Sequence, residues 1–350
     1  MGLLSFFLNR KPKEKERFIL SIDGGGMRGV VAATVLNNID NLIKSLGATR
    51  PLYTYFDLIS GTSTGGIIAL GLSAPPLKES ILYDQGDYVP TSKIVDIYKN
   101  YGSIIFPRSQ RLFSLNTIGQ LFSEKYDEAP FNQLLVDLFG QLKMDQLQRP
   151  TMVVTYDLTN DRPYVISSYS NPNTLVKKAA RATSAAPTYF SPTFISDEKS
   201  GKRVELIDGG VIANNPVLYT YKEAKKLYPD ATKFNILSIS TASTTFKVEL
   251  SRVAGSGVIG WLDPAKGVPI YRLYGATQMI TADEIASTIS DINYLRVHNP
   301  LEKSIRLDDT DPISISEMIK QGDKTYLEHE QKLRDFSSSL IKNNFVPTER

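Results

Sequence analysis

Three times along this chain a short apolar run ends in a polar residue set among glycines. Ile22 leads into Asp23-Gly24-Gly25-Gly26-Met27-Arg28-Gly29, Ile59 into Ser60-Gly61-Thr62-Ser63-Thr64-Gly65-Gly66, and Ile207 into Asp208-Gly209-Gly210. A strand that runs straight into glycine and then into a helical pattern marks a strand-to-helix turn, since glycine tolerates the tight reversal that other side chains would block. A chain that repeats this move is constrained to a layered α/β fold.

The intervening text agrees. Phe18-Ile19-Leu20-Ser21-Ile22 reads as a buried strand, and Val30 to Leu46 as a helix with apolar positions at Val31, Val35, Ile39, Leu42, Ile43 and Leu46. Further strands are expected around Phe56–Ile59, Met152–Tyr156, Tyr164–Ile166, Val204–Ile207 and Phe234–Ile239, with helices at Gly65–Leu72, Leu175–Thr183 and Val217–Leu227. Alternation of this kind predicts a mostly parallel central sheet covered by helices on both faces. Beyond Ile270 the apolar spacing turns helical, through Ile313, Ile315, Met318, Ile319, Tyr326, Leu327, Leu333 and Phe336. No linker rich in Pro, Gly or Ser divides the chain. The expected organisation is a tail over residues 1–16 and one α/β domain over 17–350, of which about 243–350 forms a lid or helical extension.

Composition excludes several chemistries. The 350 residues contain no cysteine, so there is no disulfide framework, thiolate metal site or cysteine nucleophile. Only two histidines are present, His298 and His329, which leaves little for a histidine metal site and assigns both to surface or packing roles. No D-x-D-x-D-G loop provides for calcium. The formal net charge of +3 is concentrated in residues 1–17, where five basic residues face two acidic ones, while the rest of the chain is balanced. Nucleic acid is therefore not an expected partner. The basic tract follows the apolar Gly2-Leu3-Leu4-Ser5-Phe6-Phe7-Leu8, a combination that suits contact with an anionic membrane surface as well as a solvated tail. It fits neither a signal peptide nor a myristoylation site. No apolar stretch reaches the roughly 20 residues needed to span a bilayer, so a cytoplasmic protein, peripheral to membrane at most, is expected.

Each glycine motif has a structural and a chemical reading. Gly24-Gly25-Gly26 at a helix N-terminus lets backbone N–H groups converge on an anion. The run also satisfies G-x-G-x-x-G, but no acidic residue closes the next strand as a dinucleotide site requires, and Val30 and Val31 stand where a phosphate loop needs Lys and Ser or Thr. Gly61-Thr62-Ser63-Thr64-Gly65 fits G-x-S-x-G, in which small neighbours let a serine stand exposed above the sheet. The same residues also make a polar cap followed by close packing. Asp208-Gly209-Gly210, taken alone, is a turn-forming Asx-Gly pair. Three such polar residues at strand ends of one sheet border the crevice where α/β folds bind ligands.

In that order the three motifs resemble the patatin-like phospholipase family. Arg181-Ala182-Thr183-Ser184-Ala185-Ala186-Pro187 and Asn214-Asn215-Pro216 extend the resemblance, which covers about Phe18 to Ile239. It implies a lipid acyl hydrolase of phospholipase A type, without metal or cofactor. Ser63 would be the nucleophile and Asp208 the general base, with Gly61, Gly65, Gly209 and Gly210 shaping their turns. Backbone amides of the loop Gly24, Gly25, Gly26, Met27 and Arg28 would form the oxyanion hole. The Arg28 side chain is assigned either to a lipid phosphate or to holding the loop through a carboxylate. Alternatives are a soluble carboxylesterase or thioesterase, and a signal-gated effector. Some bacterial relatives are switched on by cyclic nucleotides, and Thr277 to Asn299 is where a small-molecule activator would fit, if that stretch is more than helical packing. Ile104-Ile105-Phe106-Pro107, Leu112-Phe113 and Val258-Ile259-Gly260-Trp261-Leu262 are candidate lid or membrane-rim segments.

Overall fold

A computed structural model of the chain describes residues 15–106, 126–187, 189–242, 269–302 and 305–344. Its strands are β1 (Glu16–Ile22), β2 (Leu58–Thr62), β3 (Thr151–Asp157), β4 (Arg162–Ser167), β5 (Thr193–Ser196), β6 (Arg203–Asp208), β7 (Lys233–Ile239) and β8 (Ile292–Val297). They form one sheet in the order β5-β6-β3-β2-β1-β7-β8, with β4 also paired to β3. From β8 across to β3 the strands run parallel, while β4, β5 and β6 run antiparallel to their neighbours.

Side-chain alternation divides the central strands between two cores. Phe18, Leu20, Ile22, Ile59, Val153, Leu237 and Ile239 point to one side. Ile19, Leu58, Met152, Val154, Phe234 and Ile236 point to the other. Both sides are covered, which is why these strands are continuous apolar runs. The first side carries α1 (Gly29–Ser45), α2 (Thr64–Ser73), α3 (Thr91–Ile105), α4 (Ala129–Phe139), α5 (Val176–Thr183) and the long α8 (Pro312–Asn344). The second carries α6 (Val217–Leu227) and α7 (Pro269–Thr288).

The text beyond Ile270 is mainly helical, as expected, with one strand that the apolar spacing does not announce: Ile292–Val297 joins the sheet as β8, parallel to β7. Asn293 and Arg296 interrupt its apolar pattern, and an edge strand with only one neighbour does not need a continuous one. One expectation needs correction: the strand that ends at Asp208 is of a different kind from those that lead to Asp23 and Ser63. β4 covers one edge of β3 from Met152 to Asp157. Along the other edge β2 pairs only as far as Thr62 opposite Val154, and β6 takes over from Asp208 opposite Thr155 to Leu206 opposite Asp157. β2 and β6 therefore share one lane and meet end to end from opposite directions. Their C-terminal ends abut, which brings Ser63 and Asp208 together across 145 residues of sequence.

Candidate active site

Ser63 sits at the turn between β2 and α2 with φ 55 and ψ −126, a conformation that a residue with a side chain adopts at a cost of about 1–3 kcal/mol unless its surroundings enforce it. The surroundings are tight. A Cβ on Gly61 would lie 2.1 Å from the Gly65 carbonyl oxygen, and one on Gly65 would lie 2.4 Å from that of Ile22. Glycine at both positions lets the start of α2 press against β1 and leaves Ser63 partly exposed at the top of the sheet.

Opposite it, Asp208 is buried. Its Oδ2 accepts the Ser63 hydroxyl at 2.6 Å, and its Oδ1 accepts the Gly210 N–H, also at 2.6 Å. Burial pushes the Asp208 carboxyl up to about 7, against the lowering effect of those two hydrogen bonds. A carboxylate in this position is a much stronger base than an ordinary aspartate and still ionises near neutral pH.

The glycine loop closes the third side. A Cβ on Gly24 would lie 3.2 Å from the Ser63 Cβ and 2.5 Å from Asn214 Oδ1, so the loop approaches the serine as closely as bare backbone allows. Several of its amides are already committed. Gly24 N–H donates to the Asn214 carbonyl, Met27 N–H to the Leu307 carbonyl, and Arg28 N–H to the Gly25 carbonyl. Gly25 and Gly26 are the two loop positions whose N–H groups meet no acceptor among the described residues. Of the five loop positions, these two are the ones with an uncommitted N–H among the described residues.

Residues 20–221 match the patatin-like phospholipase family profile. The chain belongs to the patatin-like phospholipase family. Patatin-like protein 2 of Arabidopsis thaliana is 32% identical over 80% of this chain and 75% of its own length. Patatin-2-Kuras 3 of Solanum tuberosum is 28% identical over 87% and 82% respectively. The crystal structure of VipD from Legionella pneumophila superposes with a TM-score of 0.40 at 14% identity, covering 93% of this chain and 67% of that one. At the level of the family, the patatin-like chain is a lipid acyl hydrolase.

Residues outside the matched segment complete the loop of this patatin-like chain. Thr241 Oγ1 donates to the Gly24 carbonyl at 2.6 Å, and the Leu307 carbonyl takes the Met27 amide. From β8, Arg296 grips Asp23 with both terminal nitrogens at 2.6 and 2.9 Å, and its Nε lies 3.2 Å from Asp283. Burial pushes the Asp23 carboxyl up to about 6 while the Arg296 charge opposes the rise, so at neutral pH the pair is ionised. Neither Thr241, Arg296 nor Leu307 carries a recognisable motif; only the folded chain brings them to the loop. Asn214 and Thr183 lie in stretches that the sequence shares with the family, but their partners are visible only in three dimensions.

His298 follows the end of β8 and is partly buried. Its Nδ1 lies 2.9 Å from Ser240 Oγ, and His329 Nδ1 lies 2.9 Å from the Thr325 carbonyl, so neither partners the Ser63–Asp208 pair. Burial lowers the His298 pKa to about 4. Of the candidate rim, Ile104 is exposed, whereas Ile105 and Phe106 are buried, and the Phe106 ring packs against Tyr126, Tyr189 and Phe190. That pair anchors α3 in the core. Pro107, Leu112, Phe113, Val258–Leu262 and the tail over residues 1–14 lie outside the described residues. Among the described residues no group of three or more metal-ligating side chains converges, and no helix is long and apolar enough to cross a membrane.

Proposed function

We propose that the chain is a phospholipase A-type hydrolase that releases fatty acids from glycerophospholipids through Ser63 and Asp208. The observation that carries this reading is the 2.6 Å hydrogen bond from Ser63 Oγ to Asp208 Oδ2. Ser63 Oγ attacks the ester carbonyl as its proton passes to Asp208, and the developing oxyanion is met by the Gly25 and Gly26 amides. Collapse of the tetrahedral intermediate expels the lysolipid alcohol, which takes the proton back from Asp208. Water then attacks the acyl-enzyme, again giving its proton to Asp208, and Ser63 is regenerated with release of the fatty acid.

The environment suits the roles. A base with a pKa of about 7 combines a useful ionised fraction with real proton affinity at neutral pH. The two amides sit in a loop held by Asn214, Thr241 and Leu307, so they need no reorganisation as charge develops. The substrate is taken from a membrane surface, with the basic tail as the natural first contact. Purified protein is expected to release free fatty acid from mixed phospholipid vesicles, faster than it cleaves a short water-soluble ester, while Ser63→Ala does not. Equal release by both proteins would end the hydrolase reading. A preference for the soluble ester would instead identify a carboxylesterase.

A further inference from the structure

At the C-terminal end of α5, Thr183 and Ala185 touch the backbones of both members of the pair. Thr183 is fully buried. Its hydroxyl donates to the Val154 carbonyl at 2.6 Å and accepts the Ser63 N–H at 3.0 Å. Two residues on, the Ala185 carbonyl accepts the Asp208 N–H at 3.0 Å. Val154 is the point where β3 passes from β2 to β6 as its neighbour. The hydroxyl thus sits on the seam at which the two strands meet end to end.

We propose that Thr183 is a positioning residue for hydrolysis, whose hydroxyl locks the Ser63 turn to the β2–β6 seam and so sets the reach from Ser63 Oγ to Asp208. This rests on the proposed roles of Ser63 and Asp208. A threonine hydroxyl has a single proton, and here the Val154 carbonyl takes it, which leaves the oxygen lone pairs aimed at the Ser63 amide. That amide belongs to a residue at φ 55, whose strained conformation persists only while its surroundings hold it. The Ser63 carbonyl is tied into α2 by the Ile67 N–H at 3.1 Å. The Thr183 contact fixes the other half of the turn. The Thr183 methyl has a separate packing role, since a Cβ on Gly66 would lie 2.7 Å from Thr183 Cγ2.

Hydroxyl and methyl functions separate experimentally. Thr183→Val keeps the branched shape and removes the hydrogen bonds, whereas Thr183→Ser keeps the hydroxyl and removes the methyl. With vesicle substrate, kcat of Thr183→Val should fall about 10- to 100-fold with KM little changed, as expected when a reacting group is misplaced rather than binding lost. The acid limb of its pH–rate profile should move to higher pH, because the Ser63 hydrogen bond that lowers the Asp208 pKa is weakened. Thr183→Ser should retain kcat within about threefold and keep the wild-type limb. Wild-type kcat and pH limb in folded Thr183→Val would overturn the proposal, as would equal losses in Val and Ser variants. If Thr183→Val does not fold, Thr183→Ala against Thr183→Ser provides the same contrast. Ser63→Ala run in parallel separates the two ideas: an active Ser63→Ala removes the underlying mechanism, whereas an inactive Ser63→Ala beside a fully active Thr183→Val removes only the role of Thr183.

Discussion

Replacing Asp208 by Asn changes the charge of the pair and little of its shape, and it should move activity and stability in opposite directions. The Asp208 pKa of about 7 in the folded protein stands above the ordinary value of 3.8, with burial as the main cause. The native state therefore holds this proton more tightly than the unfolded chain does. Stability contributed by the group is complete below about pH 4 and is lost as the pH rises towards 7. A displacement of about 3 units at about 1.4 kcal/mol each corresponds to about 4 kcal/mol lost above neutrality. Asparagine carries no charge to desolvate. Its Oδ1 can accept the Gly210 N–H while its amide group donates to Ser63 Oγ, so neither neighbour is orphaned. Urea unfolding of both proteins at pH 5 and pH 8 should show the variant gaining on the wild type between the two values, by a few kcal/mol. Fatty-acid release from vesicles at pH 8 should fall about 100- to 10,000-fold, the usual worth of a general base. A variant that loses stability relative to wild type on going from pH 5 to pH 8, or that turns over at the wild-type rate, would refute the reasoning.

Three further outcomes follow from the same site. In wild type, kcat/KM for vesicle phospholipid should fall about tenfold per pH unit below a limb near 7, because only ionised Asp208 accepts the serine proton; a flat profile from pH 8 to pH 5 would exclude Asp208 as the base. Gly25→Ala should reduce turnover about 100- to 1,000-fold, since its Cβ would lie 2.2 Å from Thr241 Oγ1 and the loop must shift to admit it. That loss should appear in kcat, measured under saturating vesicles. Arg296→Met leaves Asp23 and Asp283 without their shared countercharge and should cost about 3–5 kcal/mol in urea unfolding. Adding Asp23→Asn to that variant should recover part of the loss, and no recovery would show that the ion pair does not hold the loop.

Much of this was legible in the residues. The strands from Phe18, Phe56, Met152 and Phe234 declare themselves because they are buried on both faces, the one from Val204 because its apolar residues alternate with polar ones, and the glycines beside Asp23, Ser63 and Asp208 mark turns that admit no side chain. β8 was hidden because an edge strand tolerates Asn293 and Arg296, and the polarity of Arg296 makes sense only once Asp23 lies opposite. The donor loop shows the same limit. Its glycines are visible in the text, yet which amides are spent depends on Asn214 and Leu307, far along the chain.

Local chemistry therefore determined the elements and the turns, since periodicity and steric room at a glycine depend on neighbours in sequence. Tertiary structure alone decided that β6 should enter the lane of β2 from the opposite direction. That choice depends on which hydrogen-bonding positions along the edge of β3 remain open after β2 ends at Thr62, and no short stretch of sequence records it. The meeting of Ser63 with Asp208 is a consequence of that vacancy on β3.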